Sequence, residues 1–397
     1  MPSIAFVAPL LREQTLRYVR AFAALPGVRV GVISSQSGWE EHGFSAVRIS
    51  DSGDASQIVA GTRALSARMG GIDRLIGHLE QIQIPLGEAR DSLGLPGMGE
   101  IAARNFREKD RMKDVLRNAG VAVARHRLAR SGADLQAFVA QVGYPIIVKP
   151  PAGLGSRATF RIRNADDLQS VLAWPSSGNP IQAEEFVTGQ EFTCETVSIH
   201  GKGIWRSGTR YYPSPLEVLE NPWMQYCVLL PRENTDHAPF AATNEAALQA
   251  LGMETGLSHM EWFRTQDGRM LVSEVGARPP GVNIMPLMSL AHGVDMVARW
   301  AELMAYDRFS PPTRTQAVGT AFFRSQGRGA KVTAIHGLAQ AQEEVGALVV
   351  DRKLPQVGDP KADGYEGEGW AIVAHPDTER VKHALKRLVE LVKIEAA

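Results

Sequence analysis

The sequence predicts an α/β protein of two or three domains, on three observations. Residues 1–105 alternate short apolar runs with amphipathic stretches, the pattern of a parallel sheet covered on both faces. An apolar strand at 145–149 ends in a lysine. Two apolar segments, 258–264 and 270–275, each carry one glutamate and meet across Gln266-Asp267-Gly268, which reads as a hairpin. At 397 residues the chain is also too long for one ordinary core.

Taken in order, residues 4–8 read as a first strand. Residues 15–25 read as a helix ended by Pro26-Gly27, 28–33 as a strand, 58–69 as a helix and 75–77 as a short strand. A dinucleotide-binding turn would put glycines after the first strand. Val7-Ala8-Pro9-Leu10-Leu11 has none, which argues against NAD. A charged helix spans 109–120 and stops at a glycine. A helix at 134–141, the strand at 145–149, a Gly-rich loop and a strand at 159–162 follow. Segments 181–187 and 191–200 are strands joined at Thr188-Gly189, and 205–212 alternates like a third. Residues 213–221 hold two prolines and read as a loop. Helices are expected at 240–255, 283–292 and 295–305. Pro311-Pro312 marks a boundary, and the remainder mixes short strands with a helix at 378–392.

Composition narrows the function. Apolar residues make up 44% and the 43 basic residues balance 43 acidic ones. This argues against nucleic acid or an anionic membrane as the main partner. The two cysteines, Cys194 and Cys227, lack metal-type spacing and suit reduced thiols in a cytosol. No apolar run approaches a membrane span. Residues 1–11 lack a leading basic residue and read as a buried strand rather than a secretory leader.

Several groups could carry chemistry. Lys149 closes an apolar strand, where a cation opens onto a crevice or sits solvated at the edge. Lys109 opens a helix rich in other charges. After Lys149 comes Pro-Pro-Ala-Gly153-Leu-Gly155-Ser156-Arg-Ala, either a plain tight turn or a flap whose amides approach phosphate. In Glu184-Glu185-Phe186-Val187, a strand edge could offer adenine one donor and one acceptor, and Glu191 could reach ribose hydroxyls. The bland reading is a surface hairpin. Glu261 and Glu274 sit among apolar neighbours. Two such carboxylates repel unless a divalent ion joins them or arginines such as Arg264 or Arg278 bridge them. Arg278 lies in a stiff Gly-Ala-Arg-Pro-Pro-Gly turn and could fork onto a carboxylate or acyl-phosphate. His259 reads either as a satisfied core histidine or as a catalytic group.

Lys109, Lys149, the Gly loop, Glu184 to Glu191, Glu261, Glu274 and Arg278, in that order, resemble the ATP-grasp superfamily. The resemblance implies an α+β ATP-grasp fold: a pre-ATP-grasp domain at 1–105, a core at 106–308 divided near 187, and a C-terminal domain at 309–397. His-Met-Glu-Trp and Glu-Val-Gly-Ala-Arg-Pro look like the carboxylate–amine ligases, most of all bacterial L-amino acid ligases of the bacilysin-synthetase type. The tail is also similar to that of biotin carboxylase, without a biotinyl-lysine segment. The resemblance implies that Lys109, Lys149, Gly153, Gly155 and Ser156 hold ATP phosphates. Glu184, Glu185, Phe186, Val187 and Glu191 would hold the nucleoside, and Glu261 and Glu274 Mg2+ (Mn2+ as the alternative). Arg278, with His259, would serve the acyl-phosphate chemistry. Substrates would be a small carboxylate and an amine, in an enzyme with no membrane or nucleic-acid partner and compatible with a homodimer. A carboxylase or other ATP-grasp ligase for a non-amino-acid metabolite is the competing expectation. Many members carry Asn two residues after the second metal glutamate, where this chain has Gly276. Trp205, Tyr211, Tyr212, Trp223 and Tyr226 are candidates to line the substrate pocket, and 152–158 and 213–222 to form a lid.

Overall fold

The computed structural model describes residues 1–152, 159–176, 178–233, 237–362 and 364–397. The expected flap glycines, Gly153 and Gly155, and Ser156 lie outside the described residues.

The N-terminal strands Ser3–Val7, Arg29–Ser34, Ser45–Arg48 and Arg74–Ile76 form one parallel sheet with Ser3–Val7 inside it. Ser3–Val7 is buried throughout, as expected of a central strand covered on both faces. Glu13–Ala23 packs its Leu16, Tyr18, Val19 and Phe22 inward, at the spacing of one helix face.

A second, four-stranded sheet carries the strands His126–Ala129, Ile146–Lys149, Phe160–Ile162 and Ile181–Glu185. A nine-stranded antiparallel sheet carries Gly189–Ile199, Gly256–Thr265 and Met270–Gly276. It continues without a break into Ala317–Phe323 and Gly369–His375 near the C-terminus. Strands 181–185 and 189–199 therefore form no hairpin: the chain crosses from one sheet to the other at residues 186–188. Gly189 permits the crossing, because a Cβ there would lie 2.6 Å from the Arg264 carbonyl oxygen.

Two local expectations change. Residues 205–212 are two strands, Lys202–Ser207 and Arg210–Tyr212, because Gly208 packs directly against the His237 ring. The expected loop at 213–221 contains a helix, Pro215–Glu220. Its proline occupies the first turn, where no N–H is needed, and Ser214 and Glu217 close a capping box. Among the described residues no helix is long and apolar enough to cross a membrane.

Candidate active site

The two sheets and the N-terminal sheet enclose a cleft of about 720 Å3. Its charged end is built from one helix and three strands. Lys109 begins the helix Lys109–Asn118, and its ammonium donates to Glu274 at 2.5 Å. Lys149, at the end of Ile146–Lys149, meets one oxygen of Glu184 at 3.0 Å. Lys113, one turn beyond Lys109, meets the other at 3.5 Å.

The electrostatics follow from these pairs. Burial disfavours the Glu184 carboxylate, but Lys113 and Lys149 outweigh it and hold its pKa below the usual range. Burial likewise opposes ionised Glu274, yet Lys109 and Lys149 pull its pKa down to about 2. Burial and neighbouring Glu261 push Glu191 well above the carboxylate range. Positive charge thus gathers at the three lysines, and negative potential is confined to the neighbourhood of Glu191 and Glu261.

Glu261 and Glu274 are direct partners across the hairpin, with a bulge following Glu261. Their side chains are 28% and 31% exposed, so both open into the cleft rather than lying buried. Glu274 pairs with Lys109, and Arg278, one of the expected bridges, donates instead to Glu80 at 2.6 and 3.1 Å. Among the described residues no group of three His, Cys, Asp or Glu is set for a metal. The donor set therefore fits an ion that takes its remaining ligands from phosphate and water. A Cβ at Gly276 would meet only the Arg278 side chain, at an ordinary 3.7 Å, so crowding is not what demands glycine there.

His259 lies on the hairpin's first strand, two residues before Glu261, and borders the cleft. Its Nδ1 sits 2.8 Å from Glu195, which is fully buried, and its Nε2 sits 3.6 Å from Glu261. Burial opposes its charge, but hydrogen bonds to Glu195 and Glu261 raise its pKa to about 9. The histidine is thus an imidazolium linking a buried carboxylate to one that faces the cleft.

The nucleoside candidates divide. Phe186, Val187 and Glu191 line the cleft, and the Arg161 guanidinium covers Phe186 at 4.4 Å. Glu184 and Glu185 line the cleft too, but Glu185 accepts from Arg125 at 2.5 Å and Glu184 faces Lys149 and Lys113.

The other end of the cleft is assembled from three distant segments. Tyr18 and His78 come from the N-terminal part and stack with ring centroids 4.4 Å apart. Burial, aided by Arg278, pushes the His78 pKa down to about 4, and neither ring nitrogen has a hydrogen-bond partner. Glu80 bonds Arg107 at 2.9 Å as well as Arg278. Val282 and Asn283, at φ 48° and 60°, hold the turn after Arg278 in left-handed backbone that non-glycine residues adopt only under constraint. Tyr365 and Glu366 complete the wall from the C-terminal part. Of the five aromatic residues expected here, only Tyr211 lines the cleft. Trp205 packs on His292 and Phe309, Tyr226 on Phe322 and Tyr365, and Tyr212 and Trp223 are exposed.

Lys113, Glu195, Glu80, Tyr18, His78 and Tyr365 were not legible as site residues. Two left a usable signal. Lys113 lies four residues after Lys109, on the same helix face. Glu195 continues the alternation Glu191, Thr193 on one face of an otherwise apolar strand.

Comparison with known proteins agrees with this geometry. Residues 114–282 match the ATP-grasp domain model. An L-arginine-specific L-amino acid ligase from Bacillus subtilis is 26% identical over 255 residues, covering 62% of this chain and 60% of that protein. The alanine–anticapsin ligase of B. subtilis strain 168 is 25% identical over 272 residues, covering 61% and 56%. The match thus spans less than two thirds of these relatives' own length. Among solved structures, an L-amino acid ligase from Bacillus licheniformis superposes with TM-score 0.79 at 18% identity, covering 100% of this chain and 99% of that one. The N5-carboxyaminoimidazole ribonucleotide synthetase of Thermotoga maritima gives 0.73 at 18% identity, covering both chains fully. Residues 114–282 of this chain thus match an ATP-grasp domain, and the whole chain shares the fold of these ligases and synthetases.

Proposed function

We propose that this protein is an ATP-dependent carboxylate–amine ligase that forms an amide or peptide bond through an acyl-phosphate, with an amino acid among its substrates. One observation carries the reading: a lysine-lined end of the cleft meets Glu261 and Glu274, and the chain then turns through Arg278 toward an aromatic end. The relatives named for amino acid ligation support it.

In this reading Lys109 and Lys149 hold the phosphates, and Phe186, Val187 and Glu191 hold the nucleoside. Glu261 and Glu274 would hold Mg2+, which when bound neutralises phosphate charge. The substrate carboxylate oxygen forms a bond to the γ-phosphorus as the bond to the ADP oxygen breaks. The amine nitrogen then attacks the acyl carbon. Phosphate leaves with the C–O electron pair, and the amine loses a proton. Arg278, steadied by Glu80, offsets charge on the acyl-phosphate and on the oxyanion that follows. His259, hydrogen-bonded to Glu195, keeps Glu261 oriented. Catalysis is mainly positioning and electrostatics.

The test is phosphate release from ATP with magnesium and a matrix of amino acid and amine pairs. Phosphate that needs both an acid and an amine is the expected result. Turnover with a lone acid or with bicarbonate would replace this reading with a carboxylase-type one.

A further inference from the structure

We propose that Lys113 is a positioning residue that sets the distance between the phosphate-binding lysine Lys149 and the acidic hairpin, without touching the nucleotide. The proposal rests on the ATP-binding reading above. Lysine is almost never buried unless paired, yet the Lys113 side chain is 1% exposed. Its ammonium donates to the Ser273 carbonyl at 3.0 Å and faces Glu184 at 3.5 Å. Burial lowers its pKa, and Glu184 pulls it back.

The two partners belong to different sheets. Glu184 ends the strand Ile181–Glu185 of the four-stranded sheet, and its other oxygen holds Lys149. Ser273 lies in Met270–Gly276 of the nine-stranded sheet, one residue before Glu274. Lys113 itself rides on the helix that presents Lys109 to Glu274. One ammonium therefore ties the helix that carries Lys109 to the strand that carries Glu274 and to Glu184, which in turn holds Lys149 on its neighbouring strand. A backbone bond from Val272 N–H to the Ala122 carbonyl, 2.9 Å, joins the same helix-to-strand seam next door. Lys113 borders the cleft, but its side chain is 1% exposed and its ammonium already faces two partners, so its effect on ATP passes through Lys149 and Glu274.

A buried lysine that served only as structural glue would affect stability alone. Removing one partner of a buried ion pair destabilises because the other charge is left uncompensated, but Lys149 stays beside Glu184 and offsets part of that cost. In Lys113→Met, the unfolding temperature should therefore fall, and in Lys113→Arg it should hold. Affinity for ADP with magnesium should fall about 10- to 100-fold, the usual loss when an outer support of a site is removed. Lys113→Arg, which keeps the charge and the donors, should recover most of that affinity. The measurement is calorimetric titration of the full chain with ADP and magnesium chloride, alongside thermal unfolding of the same samples.

Affinity within about twofold of wild type in Lys113→Met would overturn the proposal, since a lost outer support costs more than that. So would a loss that arginine fails to restore. If the methionine variant does not fold, Lys113→Gln is read by the same two criteria. ADP binding needs no turnover, so the outcomes separate. A wild-type chain that fails to bind ADP sinks the ATP reading and this inference with it. Wild-type binding that survives every substitution sinks only the role of Lys113.

Discussion

The two ends of the cleft are built on opposite plans. At the lysine end, Lys109, Lys113 and Lys149 each meet a carboxylate, and every group sits on a regular element. At the aromatic end, Tyr18, His78 and Tyr365 bring rings from both ends of the chain, and both His78 nitrogens and the Tyr365 hydroxyl lack partners. Paired charges on strands make a rigid mould for one invariant ligand part. Rings and unsatisfied polar atoms make a surface whose partners come with the substrate. Under the proposed function, ATP would be recognised at one end and the substrate chosen at the other.

Substitutions can break or sharpen this contrast, beginning with the largest expected effect. Glu274→Gln should fold normally yet lose roughly 100- to 1,000-fold in turnover, the scale for removing a charge from a preorganised site. Phosphate release and an unfolding curve on one preparation check it, and near-normal turnover would remove Glu274 from the site. Lys149→Ala should raise the KM for ATP roughly 10- to 100-fold, as expected for a lost charged hydrogen bond, while the KM for amino acids stays put. An unchanged ATP requirement would leave the lysine end without its second anchor.

His78 allows a pH test. Its folded pKa of about 4 lies below the ordinary histidine value of 6.5. Below that ordinary value the unfolded chain takes up the proton and the folded chain does not. The stabilisation is therefore present above pH 6.5 and is lost as the pH falls toward 4. Between pH 7.5 and 5 the loss should be about 2 kcal/mol, and His78→Leu should abolish that portion in urea melts. Equal pH dependence in the two proteins would mean that the imidazole is not held neutral. The smallest effect is expected at Tyr365. Tyr365→Ala should shift preference among amino acid pairs by about tenfold, the scale for reshaping an apolar pocket, with the KM for ATP unchanged. A shift in ATP requirement instead would erase the division of labour between the two ends.

The same contrast explains what the sequence made legible. Lys109 stands at a helix start, Lys149 at a strand end, and Glu261 and Glu274 within a hairpin, so neighbours a few residues away already define their surroundings. The parallel N-terminal sheet and the acidic hairpin were readable for the same reason. Tyr18, His78 and Tyr365 acquire meaning only when three segments converge, and no local period encodes that. Arg278 was visible, but its partner Glu80 was not, since the pair spans two sheets. The helix Pro215–Glu220 was hidden by prolines that usually mark loops, although Ser214 and Glu217 carried its start signal. The lysine partners of Glu184 were hidden because they lie on other elements.

The segment bearing Tyr365 leaves the strand Val349–Lys353 and returns through Gly369–His375, both in the sheet that also carries Glu261 and Glu274. A change of length or sequence in that connection would redraw the wall opposite the acids while leaving their backbone in place. Substrate taste and phosphate chemistry then become separately heritable traits. Descendants of such a chain can explore new acids and amines by drift in one loop, with the energy-coupling machinery passed on intact.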